Sequence, residues 1–125
     1  MNKKSFFLIF VASGVFLISL SYGIVPSKTL SYLYGIEVGS VNLSNIFRAV
    51  MGLYIGFIIF WIIGAFNNSL KIPALWSLII FMLGLASGRF LSLIIDGVPH
   101  PLFIVWMLLE IIFGILGYKY IKSSN

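Results

Sequence analysis

Along this chain the apolar residues gather into four long blocks, with neither the alternation of a half-buried strand nor the one-sided stripe of a surface helix. The blocks cover about residues 6–24, 43–66, 73–95 and 101–118. A hydrocarbon core of about 30 Å takes about 20 helical residues to cross, and each block approaches or exceeds that length. Within lipid a helix is the form in which one segment satisfies its own backbone N–H and C=O groups. The connections are short. Asn67 to Ile72 reads as a tight turn, with Pro73 in the first turn of the next helix, where a missing N–H costs nothing. Asp96-Gly97-Val98-Pro99-His100-Pro101 reads as a rigid turn. The pattern predicts an all-α fold: an integral membrane bundle of four antiparallel transmembrane helices, with residues 1–125 as a single transmembrane domain.

The one long connection, Val25 to Asn42, has a pattern of its own. Pro26 and Ser27 open a segment with Leu30, Leu33 and Tyr34 at helical spacing, and Gly35 closes it. A short interfacial helix between spans one and two, with its tyrosines at headgroup depth, fits this pattern. An irregular loop fits it equally. Ahead of the first block, Lys3 and Lys4 precede the apolar run, and Ser19-Leu20-Ser21 offers small residues at the spacing of a cleavable signal. The length of the run, and the packing partner it provides for polar groups downstream, argue for a retained helix.

Composition narrows the class. Hydrophobic residues make up 61% of the 125 and charged residues 9%, against about 25% charged in an average soluble domain. With a mean hydropathy of +1.13, the chain has too little polar surface to cover a water-soluble fold. It contains no cysteine, which excludes disulfides, thiolate metal sites and cysteine nucleophiles. The net charge of +5 raises the question of nucleic acid, but the basic residues lie at span ends and within spans and form no stripe. They set an orientation instead. With both termini cytoplasmic, Lys3, Lys4, Lys71, Lys119 and Lys122 lie inside and Lys28 alone outside, as the positive-inside rule requires. The expected location is the cell (inner) membrane.

Candidate chemistry rests on the charges within the blocks. Arg48, Arg89 and Glu110 interrupt apolar stretches and Asp96 ends one. An unpaired charge at the centre of a spanning helix costs roughly 2.5–3.5 kcal/mol on insertion scales, so these four are expected to meet in a buried polar cluster. Helical phase supports the meeting. Asn45, Arg48, Gly52 and Gly56 share a face of span two; Arg89, Ser92 and Asp96 recur on span three; Phe103, Trp106, Glu110, Gly114 and Gly117 share a face of span four. Gly52, Phe103 and Trp106 are the expected pocket lining. Gly52-x-x-x-Gly56 and Gly84-x-x-x-Gly88 are small-xxx-small patterns expected to let helices approach closely. His100, between two prolines, reads as an interfacial loop residue. No metal-ligand set, phosphate loop or nucleophile motif is present.

These residues carry a resemblance. Phe47-Arg48-Ala49-Val50-Met51-Gly52-Leu53-Tyr54, then Gly88-Arg89-Phe90-Leu91-Ser92-Leu93-Ile94-Ile95-Asp96-Gly97-Val98-Pro99, and later Leu109-Glu110, resemble an uncharacterised family of small bacterial four-span membrane proteins, classed as a domain of unknown function. The likeness spans nearly the whole chain, including Pro26 and Gly35. It implies fold and location and no activity, and it adds weight to Arg48, Arg89, Ser92, Asp96 and Glu110 as one site.

Three functional readings follow. The first is a non-enzymatic bundle, structural or accessory, whose polar cluster fixes helix register or holds a lipid-like or small ligand with an anionic or carbonyl head. Two arginines in fork geometry suit such a head. The second is a proton-coupled carrier using Glu110, by analogy with small multidrug transporters of similar length. Their essential glutamate lies in the first span, where this chain has no charge after Lys4. The third is an intramembrane enzyme acting on a lipid-like substrate. No catalytic residue and no cofactor is expected; membrane lipid, and a second copy or another membrane protein, are the expected partners.

Overall fold

Side-chain chemistry at the chain's polar breaks decides where each helix starts and stops. In the computed structural model, which describes residues 2–123, five helices follow one another. They are α1 (Lys3–Gly23), α2 (Pro26–Tyr34), α3 (Val41–Phe66), α4 (Asn68–Ile95) and α5 (Pro101–Lys122). Asn2, Ser40, Asn67 and His100 each turn a side-chain acceptor onto a backbone N–H in the first turn of the following helix. That replaces a bond the helix cannot make for itself. α2 begins instead with Pro26 and ends at Gly35, whose φ of +68° is the left-handed cap that glycine adopts without strain. The fold is all-helical among the described residues, and α1, α3, α4 and α5 are long and apolar enough to cross a membrane.

The helix ends lie within three residues of the sequence reading except at two boundaries. The predicted turn from Asn67 to Ile72 contracts to Asn67 alone. Its Oδ1 accepts both the N–H and the hydroxyl of Ser69, at 2.9 and 2.6 Å, and so starts α4 five residues before Pro73. Pro73 therefore lies inside the helix. The carbonyl it leaves without a helical donor is that of Ser69, at the exposed end where another donor can reach it. At the other end of the chain, α5 runs one turn beyond residue 118, to Lys122. In the long connection the helix prevails over the irregular loop, because Pro26, Leu30 and Tyr34 bury one face of α2.

Neighbouring helices are antiparallel. Ser5 at the start of α1 donates to the Ala65 carbonyl near the end of α3 at 2.7 Å, while Gly23 abuts Phe47 and Met51 at the opposite end. The Trp61 indole, fully buried, donates to Ser77 Oγ on α4 at 2.9 Å and meets Phe81 edge-on at 5.2 Å. The closest helix contacts fall at glycines the sequence pattern did not single out. A Cβ at Gly23 would lie 2.5 Å from that of Met51, and a Cβ at Gly64 would lie 2.4 Å from that of Ala74. At Gly52, Gly56, Gly84 and Gly88 a Cβ would meet nothing within 4 Å. The two small-xxx-small stripes are therefore not the packing seams.

The bundle is best described as two tight pairs, α1 with α3 and α4 with α5. α3 and α4 are held together at the Asn67 end by Gly64, Ala74, Trp61 and Ser77, and they part beyond Tyr54 and Phe81. α1 and α5 touch mainly where Phe7 packs on Phe113 and Tyr120. Both loose seams open into grooves.

Candidate functional site

Arg89 on α4 and Glu110 on α5 face each other, with the Tyr22 hydroxyl and the Phe103 ring beside the guanidinium. Nε–H of Arg89 is shared between Oε1 at 3.0 Å and Oε2 at 3.2 Å of Glu110. Nη2 donates to the Tyr22 hydroxyl of α1 at 3.1 Å, and the Phe103 ring lies 5.5 Å from the guanidinium carbon, a cation–π distance. Tyr22 stands edge-on to Tyr54 at 5.7 Å, which in turn meets Phe81 at 4.9 Å. An ion pair set among aromatic rings, its cation also hydrogen-bonded to Tyr22, is a form in which charge is tolerated in an apolar interior.

α2 closes the end of this cluster nearest the α4–α5 turn. The Tyr34 hydroxyl shares a 2.7 Å hydrogen bond with Ser21 Oγ and accepts Trp106 Nε1–H at 3.3 Å, while its ring stacks on Phe103 at 4.7 Å. His100 caps α5 by accepting the Leu102 N–H at 3.1 Å and lies edge-on to Tyr34. Leu30 and Tyr34 are buried beneath α2.

The open approach to Arg89 is sideways. Between α3 and α4 lies a groove of about 990 Å³, walled by Leu53, Tyr54 and Phe57 on one side and by Ile80, Gly84 and Gly88 on the other. Arg89, Tyr22 and Ser92 supply polar atoms at one end of its lining, and apart from Tyr54 and the hydrogen-bonded Ser77 the remainder is apolar. A guanidinium has five N–H bonds. Arg89 spends one on Glu110 and one on Tyr22, leaving three without an acceptor among the described residues. The Tyr22 hydroxyl, already accepting from Arg89, retains its own proton to donate.

The expected cluster thus divides. Arg89, Glu110, Phe103 and Trp106 come together. Arg48 does not join them: it is exposed and donates through Nη1 to the carbonyls of Gly23 and Ile24, at 3.1 and 3.2 Å. Those carbonyls end α1 and have no helical partner, so a cation there also meets the negative end of the helix dipole. Asn45 and Gly52 share the exposed face of Arg48, because Phe47 and Met51 fill the contact with α1 at this level. Asp96 is exposed and accepts from Ser92 Oγ at 2.8 Å, a local bond within one helix end that does not reach the ion pair.

Residues 4–120 match the family described as Domain of unknown function (DUF4345). The chain belongs to the DUF4345 family. No curated protein and no solved structure matches it. In this DUF4345 chain the residues missed by sequence reasoning are Tyr22, Tyr34 and Tyr54, which complete the site from α1, α2 and α3. A signal for Tyr22 was present: a tyrosine within an apolar span carries a hydroxyl that needs a partner, here Arg89, whereas Tyr54 joins the site through its ring contacts alone. Which partner it finds depends on helix order around the bundle, and that is set by the glycine contacts above.

Proposed function

We propose that this chain is a non-enzymatic, multi-pass protein of the cell membrane that binds one amphiphile. Its anionic or carbonyl head is received by Arg89 and Tyr22, and its tail lies in the groove between α3 and α4. The observation that carries this reading is the joint one: three unused guanidinium N–H bonds at the polar end of a long apolar groove. A charged donor pointing into an apolar space is costly unless an acceptor comes to it. The ligand would arrive within the bilayer plane, since α2 covers the neighbouring end of the cluster. Gly84 and Gly88 then have a use that close helix packing did not provide, as the thin wall against which the tail lies.

The pairing of Glu110 with Arg89 speaks for binding over proton-coupled transport. A carrier glutamate must be free to exchange protons with water, and this one is 10% exposed and bonded to a permanent cation. The reading is tested by native mass spectrometry of the protein extracted from its own membranes. A co-purifying amphiphile is expected with the wild type. It should be lost in the double variant Arg89→Gln/Glu110→Gln, which keeps a neutral hydrogen-bonding pair in place of the charges. Identical lipid content in the two proteins would refute the reading.

The orientation in this proposal puts both termini in the cytoplasm, with the α2 segment and the α4–α5 turn outside, from the distribution of lysines. A cysteine at Val98, which is highly exposed, should be labelled in intact cells by an impermeant thiol reagent. A cysteine at Asn125, outside the described residues, should be labelled only after the cells are opened. Labelling of position 125 from outside would reverse the topology.

A further inference from the structure

The seam between α1 and α5 opens into a second groove, of about 690 Å³, with Phe10, Gly14 and Leu17 on one wall and Trp106, Glu110 and Phe113 on the other. It lies across the ion pair from the first: Arg89 lines the α3/α4 groove and Glu110 lines this one. Both Glu110 oxygens are engaged by the single Nε–H of Arg89, and no other donor among the described residues reaches them. A carboxylate offers about four lone-pair sites, so most of its accepting capacity is unused. Of the other polar groups in this lining, two are occupied, and the Tyr54 hydroxyl, which lines both grooves, has no partner among the described residues. The Ser13 hydroxyl donates to the Ile9 carbonyl at 2.9 Å, and the Trp106 N–H is held by Tyr34. The charged group of this groove is therefore an acceptor, opposite to the guanidinium donors of the first, and the Tyr54 hydroxyl can donate or accept beside it.

We propose that the α1/α5 groove is a second lipid site, which takes a neutral amphiphile with a hydroxyl head. The O–H donates to the Glu110 carboxylate, and the hydrocarbon lies along Phe10, Gly14 and Phe113. The charge of Glu110 is already balanced by Arg89, so an ammonium head would bring an uncompensated charge into an apolar setting. A carboxylate or carbonyl oxygen would face Glu110 without a donor of its own. A hydroxyl meets neither objection and gains a charge-assisted bond. Phe10 and Leu17, 56% and 69% exposed, leave the groove open to the side, so the occupant is a bilayer alcohol arriving from within the membrane. This site stands on a different groove and a different polar group from the α3/α4 reading.

Three photoreactive probes with one alkyl tail and an alcohol, a carboxylate or no head distinguish the two sites. Each is added to the full chain in lipid vesicles, and the labelled residues are located by mass spectrometry. The alcohol should label α1 and α5 around Gly14 and Phe113 about tenfold more than the headless probe, the factor a single hydrogen bond to a charged acceptor supplies. Gly14→Leu should abolish that excess. A Cβ at Gly14 meets nothing within 4 Å, so the new side chain fills the groove without disturbing helix packing. The charge-balanced variant Arg89→Leu/Glu110→Leu should abolish it too. Equal labelling by alcohol and headless probes, or alcohol labelling that survives Gly14→Leu, overturns the proposal. The carboxylate probe reports on the α3/α4 groove, so failure of either site is seen separately.

Discussion

Glu110→Leu is expected to lower the unfolding free energy by about 3–5 kcal/mol, the range found when one partner of a buried ion pair is removed. The loss arises at Arg89. Its guanidinium, only 20% exposed, keeps its charge and loses the carboxylate that accepts Nε–H. The Tyr22 hydroxyl and the Phe103 ring remain, and neither carries a compensating charge. Arg89→Leu/Glu110→Leu should then recover most of the stability, because two apolar side chains need no partner. Denaturant titration in mixed micelles measures both variants. A single variant as stable as the wild type, or a double variant no better than the single, would contradict a buried, mutually dependent pair. Glu37→Leu, at an exposed position in the α2–α3 connection, is the control and should leave stability nearly unchanged.

Gly64→Ala carries the second large effect. The added methyl would sit 2.4 Å from the Ala74 Cβ and 3.1 Å from the Leu70 carbonyl oxygen, so α3 and α4 must separate at the end where they are joined. Overpacking of this kind costs about 1–3 kcal/mol. Gly56→Ala, on the same helix with open space around it, should be neutral or stabilising by up to about 1 kcal/mol, from helix propensity alone. The contrast separates glycines that permit contact from glycines that merely match a motif. Equal effects at the two positions would mean that the seam between α3 and α4 lies elsewhere.

That contrast also shows where sequence reasoning reached its limit. The four long helices were legible, because block length and hydropathy are properties of each segment alone. α2 was legible as one of two alternatives, through Pro26, the Leu30/Tyr34 spacing and Gly35. The boundary at Pro73 was misjudged because Asn67 and Ser69 form a cap that outweighs the preference of proline for a first turn. Residues on one helix face were correctly grouped, as with Asn45, Arg48 and Gly52. Which way a face points depends on the neighbouring helix, and Phe47 and Met51 hold the side toward α1. Arg48 was expected to need a buried carboxylate, whereas two carbonyls at the end of α1 serve it. Arg89 and Glu110 meet because opposite charges in facing apolar helices have few other partners, and their phase on α4 and α5 permits it.

The most direct test of the α3/α4 groove is ligand-induced thermal stabilisation by a single-chain fatty acid, titrated into wild type, Gly88→Leu and Gly52→Leu. Both substitutions place leucine where a Cβ meets nothing within 4 Å, but only Gly88 lines the groove. A ligand that binds only the folded state stabilises it by about 2.7 kcal/mol at about a hundred times its Kd. A saturable rise in the unfolding midpoint of wild type and Gly52→Leu, absent from Gly88→Leu, is the expected result. The same rise in all three proteins, or none in any, would contradict a fatty-acid-sized site at Arg89.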